Sequence, residues 1–215
     1  MKVITLATQK GGSGKTTLAA SLAVAAAEAG EGVVVIDLDR QRSLEAWEER
    51  RRGIEHKTRV IYRAVEAEGL GVLLSKIRGH QPTTLVVIDT PGILDDTARI
   101  GMDAADITLL PVRPAIMDAQ AAIRTAVELD LQDRAFAFVL TQVPPGSPAR
   151  AEAPARELVK YGPLFPGLIG LRLDHQDAIL EGQGVTEFRP RGQAADEVRQ
   201  LWDWTAKQLR EGDHE

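Results

Sequence analysis

The chain has 215 residues, 44% of them hydrophobic, which is enough for one substantial core without requiring a second domain, so residues 1–215 are read as one unit. A formal net charge of −5 excludes a uniformly basic coat for nucleic acid and leaves only a local patch for such a contact. The absence of cysteine excludes disulfides, thiolate metal sites and cysteine-held iron–sulfur clusters, and no apolar run is long enough to cross a bilayer.

In chain order, the apolar run Val3 to Ala7 predicts a first strand. No charged-then-apolar leader precedes it, so a cytoplasmic location is expected. Thr16 to Ala29 is an alanine-rich helix stopped by Gly30, and Gly32 to Asp37 is a continuous apolar strand of the kind buried on both faces. Ser43 to Arg52 reads as a helix, Lys57 to Ile61 as a strand, Leu70 to Arg78 as a helix and Thr84 to Asp89 as a second buried strand. Ile107 to Val112 and Ala135 to Thr141 give two further strands. Pro144 to Pro148 is a loop, Ala151 to Tyr161 a helix, and a last short strand is expected around Leu168 to Leu171, before a closing helix. Short β-rich runs alternating with helices predict an α/β fold, a mostly parallel central sheet flanked by crossover helices.

Between the first strand and the first helix lies Gln9-Lys10-Gly11-Gly12-Ser13-Gly14-Lys15-Thr16-Thr17. A glycine-rich turn at that junction aims successive backbone N–H groups, and the positive end of the helix, at one point where phosphates can sit. In the pattern G-x-x-x-x-G-K-[ST], Lys15 reaches the β and γ phosphates and the Thr16 hydroxyl is a Mg²⁺ ligand. That pattern wants glycine five residues before Gly14, where this chain has Gln9, with Lys10 beside it.

The result, Lys-Gly-Gly-Ser-Gly-Lys-Thr, is the deviant Walker A form, and with it the chain resembles the ParA/MinD family of P-loop ATPases. The resemblance implies ATP and Mg²⁺ as cofactors, with Lys10 to Thr17 binding the phosphates. It also implies an ATP-dependent homodimer in which Lys10 crosses to the partner's nucleotide, so Lys10 and Lys15 both count as catalytic. Two relatives of the fold, the nitrogenase iron protein and the tail-anchored-protein targeting ATPases, depend on cysteines that this chain lacks.

Both buried strands end in aspartate, and ligands of open α/β sheets collect at the carboxyl ends of strands, so Asp37, Asp39 and Asp89 should converge near the loop. Asp89, in Val-Val-Ile-Asp-Thr-Pro-Gly, looks like the Walker B aspartate that holds Mg²⁺ through water, and Thr90 to Leu94 like the switch that senses the γ-phosphate. Asp37-Leu38-Asp39-Arg40-Gln41 resembles the family's D-x-D-P-Q segment, which makes Asp39 the residue that positions the attacking water and Asp37 a supporting acid of the Mg²⁺ shell. Arg40 stands where the family commonly has proline, and loss of that preset turn is expected to loosen the switch or slow hydrolysis.

The resemblance continues through Ser43-Leu44-Glu45-Ala46-Trp47 with Arg50-Arg51, similar to small ParA partition ATPases, and through Leu110 to Pro114, Leu140 to Val143, Glu187-Phe188 and Gly192 to Leu201. It implies partitioning or positioning of a plasmid, chromosome locus or large cargo over nonspecific DNA, with nucleoid association in the ATP state and hydrolysis stimulated by a ParB-like adaptor. An accessory ATPase of conjugative transfer would carry the same motifs. Arg189, Arg191, Arg199, Lys207 and Arg210 are the candidate DNA contacts, although Asp196 and Asp203 share that helix side. MinD-like membrane positioning is the competing class, and the acidic tail, ending Asp213-His214-Glu215, argues against it. Trp202 is assigned to the core instead. His56, His80, His175 and His214 show no metal spacing, and Asp174 to Asp177 reads as an acid-rich helix start.

Overall fold

The computed structural model describes residues 1–55, 58–79, 82–147 and 149–211. Six strands, β1 (Lys2–Leu6), β2 (Val33–Asp37), β3 (Val60–Ala64), β4 (Leu85–Asp89), β5 (Ile107–Val112) and β6 (Phe136–Leu140), form one sheet in the order β3-β2-β4-β1-β5-β6. Every ladder is parallel. Strands β2, β4, β5 and β6 are buried at each residue, as unbroken apolar runs must be when helices cover both faces. The register sets Leu6 and Asp37 beside Asp89 on neighbouring strands, bringing both strand-end acids to the edge where the β1 loop departs.

The helices are α1 (Lys15–Glu28), α2 (Ser43–Arg52), α3 (Leu70–Arg78), α4 (Asp96–Asp103), α5 (Ile116–Asp130), α6 (Ala149–Leu158), α7 (Leu173–Leu180), α8 (Val185–Phe188) and α9 (Gln193–Glu211). From Leu18 to Ala26 every residue of α1 is buried, because its alanines make it slim enough to pack against β2 and β4 as well as α8 and α9. The apolar stripe of α9, Val198, Leu201, Trp202 and Leu209, joins the same core. Trp202 is therefore a core residue at 6% exposure, and Trp204 lies against Phe165 with ring centroids 5.7 Å apart.

Two expectations change, and one element had none. Strand β3 begins at Val60, opposite Val33, three residues later than the pattern suggested; Lys57 lies outside the described residues. The expected strand at Leu168 to Leu171 is reduced to an isolated bridge, Val143 to Gly170, and no seventh strand forms among the described residues. Gly162, Pro163, Pro166 and Gly167 interrupt the approach to it, and such residues do not sustain a ladder. Helix α4 was not foreseen: Asp95 caps it by accepting from the Ala98 N–H at 2.9 Å, and Gly101 lets it close on Thr5, whose hydroxyl donates to the Gly101 carbonyl at 2.7 Å.

The α7–α8 turn is pressed onto the end of α2. Gly182 has φ +67°, and a Cβ there would lie 2.4 Å from the Arg51 nitrogen and 2.7 Å from the Arg50 carbonyl carbon. Gly182→Ala combines a left-handed backbone with a backbone overlap and is expected to cost about 2–4 kcal/mol. Urea denaturation checks this, and a loss under about 0.5 kcal/mol, the range of an ordinary surface substitution, would contradict it.

Candidate functional site

The loop after β1 turns into α1 through Gly14, left-handed at φ 87°, and no acid occupies the first turn of the helix. The opening N–H groups of α1 therefore face outward with their positive dipole end uncompensated, the arrangement that attracts an anion. The far side of the loop is tied down from the end of β6. Thr141 Oγ1 donates to the Ser13 carbonyl at 3.1 Å, and Gln142 Nε2 donates to the Gly12 carbonyl at 2.6 Å. Lys15 is 6% exposed. Burial draws its ammonium pKa below the ordinary lysine value, and the Asp89 and Asp39 carboxylates oppose that shift.

The structure brings Asp37, Asp39 and Asp89 together as the sequence implied. Thr16 Oγ1 donates to Asp89 Oδ2 at 2.6 Å, linking the first turn of α1 to the end of β4. Burial pushes the Asp89 carboxyl up to about 7, with Asp37 and Asp39 adding to the rise against Thr16 and Lys15. Burial likewise raises Asp37 to about 6, opposed mainly by the Asp39 N–H, which donates to Asp37 Oδ1 at 2.9 Å. Asp37 Oδ2 and Asp89 Oδ1 are buried without a hydrogen-bond partner. Two unused carboxylate oxygens beside a threonine hydroxyl suit a hydrated Mg²⁺. Among the described residues no group of three or more His, Cys, Asp or Glu side chains is placed to hold a metal ion alone, so substrate oxygens would have to complete the shell.

Raised carboxyl pKa values have a measurable consequence. Protons occupy these acids at low pH and compete with a cation, so apparent Mg²⁺ affinity in the presence of nucleotide is expected to climb from about pH 5 to about pH 8 and then level off. Mg²⁺ titrations across that range test it, and a flat profile would count against these acids as the metal's carboxylates.

Asp39 sits on the turn leaving β2. Its Oδ1 accepts from the Gln41 N–H at 2.9 Å, and Arg42, at φ 52°, donates from Nη1 to the Asp37 carbonyl at 3.1 Å. An aspartate-closed turn thus stands where the family commonly has proline, and Arg40 itself is an exposed side chain 3.5 Å from Glu66. From there α2 leads to a buried cluster. Arg51, 1% exposed, donates from Nη1 to Glu187 Oε2 at 2.7 Å and from Nη2 to Glu187 Oε1 at 3.0 Å. It also donates to the Gly182 and Thr58 carbonyls and packs 5.2 Å from the Trp47 ring centroid.

Lys10 is half-exposed at the rim of the loop. Its Nζ donates to Asp118 Oδ1 at 2.6 Å, while Arg113 Nε donates to Asp118 Oδ2 at 2.6 Å. Burial would raise the Asp118 carboxyl, but these two cations outweigh it and hold the group below the usual carboxylate value. Exposed apolar side chains adjoin this rim: Ile116 and Met117 precede Asp118, and Ile93 follows Gly92, where a Cβ would lie 3.2 Å from Gly11 Cα. Asp118 received no role from the sequence; its signal was an acid four residues after Pro114 in an otherwise alanine-rich helix start.

A cavity of about 250 Å³ runs from Gly12, Gly14 and Thr17 to Ile169, Arg172 and His175, so His175 and Gln176 of the acid-rich helix start line its far wall. The candidate DNA residues lie elsewhere, on α9 and the turn before it, and most have acidic neighbours. Arg189 pairs with Asp174 at 2.9 Å, Arg199 with Asp196 at 3.5 Å and Glu28 at 3.8 Å, and Lys207 with Glu211 at 3.7 Å. Arg191 and Arg210 have no acidic partner among the described residues. His56, His80 and His214, with the rest of the acidic tail from 212 on, lie outside the described residues.

The sequence matches the family described as the CobQ/CobB/MinD/ParA nucleotide binding domain over residues 4–185. It is 35% identical over 191 residues to the maintenance of carboxysome distribution protein A of Gloeobacter kilaueensis, a match that covers 87% of this chain and 85% of that one. Among solved structures, the fold is shared with the MinC:MinD cell division protein complex of Aquifex aeolicus, at TM-score 0.82 and 19% identity over 96% of both chains. The septum site-determining protein MinD complexed with Mg-ADP from Pyrococcus horikoshii OT3 also shares it, at TM-score 0.78 and 20% identity over 98% of both.

Proposed function

The chain belongs to the CobQ/CobB/MinD/ParA nucleotide-binding family and is a ParA/MinD-type ATPase, and from that premise we propose that it is an ATP-gated dimer that binds DNA without sequence preference and positions a large cargo. The observation that carries this reading is the rim of the phosphate loop: a half-exposed Lys10 beside the exposed Ile93, Ile116 and Met117, on the face a second copy would cover. Lys10 is held by Asp118 of its own chain, so reaching a partner's phosphates means exchanging that carboxylate for phosphate oxygens. Released, it neutralises transition-state charge in trans.

Within one subunit, Lys10 to Thr17 cradle the triphosphate and Lys15 neutralises its β and γ oxygens. Thr16, with Asp89 and Asp37 behind it, is the set that would hold Mg²⁺, which would supply neutralisation of the phosphates' negative charge. Asp39 gives up the Gln41 N–H, orients the attacking water and accepts its proton on the freed Oδ1. The Gloeobacter relative is named for carboxysome distribution, which favours a protein-built cargo over a plasmid, with an adaptor protein linking cargo to ATPase. The apolar stripe of α9 is committed to the core, which speaks against that helix inserting into a membrane.

The test is DNA binding and oligomer mass with ATP, ADP or no nucleotide, on unrelated DNA sequences at two salt concentrations. ATP-only dimers with salt-sensitive, sequence-blind binding are expected. Reversing charge at Arg189 and Arg191 should weaken DNA binding at least about tenfold while changing the ATPase rate less than about twofold, since phosphate contacts and hydrolysis use different surfaces. Monomers in every state, or DNA binding indifferent to nucleotide, would refute the reading.

A further inference from the structure

The wall of the cavity opposite the phosphate loop is built from outside the loop's neighbourhood. Residues 169–172 form no strand, yet they are fixed in place. The Ile169 N–H donates to the Leu140 carbonyl at 2.8 Å and the Leu171 N–H to the Val143 carbonyl at 2.8 Å. Between them, the Gly170 N–H donates at 2.9 Å to Glu197 Oε2, a side chain of α9 that is only 8% exposed. The same carboxylate receives Arg172, Nη2 to Oε1 at 2.6 Å and Nε to Oε2 at 3.2 Å. Arg172 lies so close over Gly170 that a Cβ there would meet its guanidinium at 2.9 Å, so any larger residue would displace the clamp. Beside it, His175 lines the cavity with a buried Nε2 that has no hydrogen-bond partner, and burial favours its neutral form.

We propose that Glu197 is a positioning residue for the nucleotide base: by clamping Gly170 and Arg172 it shapes the wall against which adenine rests. Phosphates held at Gly12 to Thr17 fix one end of the ligand, and the cavity extends from that point to the clamped wall, which fixes where the base must lie. Both oxygens of Glu197 are taken by Arg172 and the Gly170 N–H, so the wall is fixed before a base arrives, and a fixed wall tells adenine from guanine better than a loosened one. The inference rests on the reading of Gln9 to Thr17 as the phosphate cradle.

Isothermal titration of the full chain with Mg·ATP, Mg·GTP and Mg·tripolyphosphate tests it, because tripolyphosphate has the phosphates and no base. In Glu197→Gln, ATP affinity is expected to fall about tenfold and the ATP-over-GTP preference to shrink, with tripolyphosphate affinity unchanged within about twofold. The paired Arg172→Gln and Glu197→Gln variant removes both charges together, avoids an unpaired guanidinium, and should show the same pattern. A folded variant of either kind that keeps the wild-type ATP-to-tripolyphosphate and ATP-to-GTP ratios, or that loses all three ligands in parallel, overturns the proposal. Lys15→Ala separates the premise: if it retains tripolyphosphate binding, the phosphate-cradle reading fails, whatever Glu197 does.

Discussion

Glu187→Ala is expected to lower the free energy of unfolding by about 3–5 kcal/mol, the range seen when one partner of a buried ion pair is removed. The reason is what remains. Arg51, at 1% exposure, would keep only the Gly182 and Thr58 carbonyls and the face of Trp47 for its charge. The Thr58 hydroxyl, which donates to Glu187, and the Gly184 N–H, 3.2 Å from Glu187 Oε2, would lose their acceptor as well. Replacing both partners, as Arg51→Met with Glu187→Leu, should recover most of the loss, because no charge is then stranded. Urea unfolding with m-values decides, and a loss below about 1 kcal/mol, the median value of an exposed pair, would show that the cluster is not the clamp its geometry implies. The pair also predicts acid sensitivity. Burial alone would raise the Glu187 carboxyl, but Arg51 and Thr58 outweigh it and hold it below the ordinary value. Its stabilisation is thus complete above the pKa of an unfolded glutamate and drains away as pH falls through the lower folded value.

Lys15→Ala is expected to abolish detectable hydrolysis, a loss of at least about a hundredfold, together with most triphosphate affinity. Three acids, Asp37, Asp39 and Asp89, share this end of the sheet, and Lys15 is the cation whose pKa responds to two of them. Without it, a triphosphate would approach an uncompensated cluster of negative charge. Asp39→Ala should differ in kind, keeping ATP binding and dimerisation while losing turnover, since Asp39 is read as acting on the attacking water. Single-turnover hydrolysis and equilibrium ATP binding, measured on both variants, separate the roles. Turnover within about threefold of wild type in Lys15→Ala would remove that residue from the chemistry, because a transition-state contact is worth far more.

What was legible in the sequence was local. The loop from Gln9 to Thr17, the acids closing Val-Val-Val-Ile-Asp and Val-Val-Ile-Asp, and the parallel character of the sheet all follow from short runs whose residue types leave few alternatives. The order of strands does not, since β4 enters between β2 and β1 through pairings remote in sequence. The same limit hid the partners that hold the site: Lys10 with Asp118, Arg51 with Glu187, and Gly170 with Glu197. Glu197 did leave a trace, an acid three residues after Ala194 and four before Leu201, on the buried stripe of α9. Helix α4 escaped because its Gly101 reads as a breaker and only contact with Thr5 explains it.

The parallel sheet divides the molecule into a working edge and an idle one. In an all-parallel sheet the β-to-α loops open at the end that carries the phosphate loop and the α-to-β turns at the opposite rim, and among the described residues none of those turns carries a proposed site residue. The turn between α5 and β6 is one of them, with Leu131 80% exposed and Asp133 already in a left-handed conformation at φ 51°. A fluorophore or an inserted reporter domain belongs there, where it can report on the protein without touching the phosphate loop or the acids beside it.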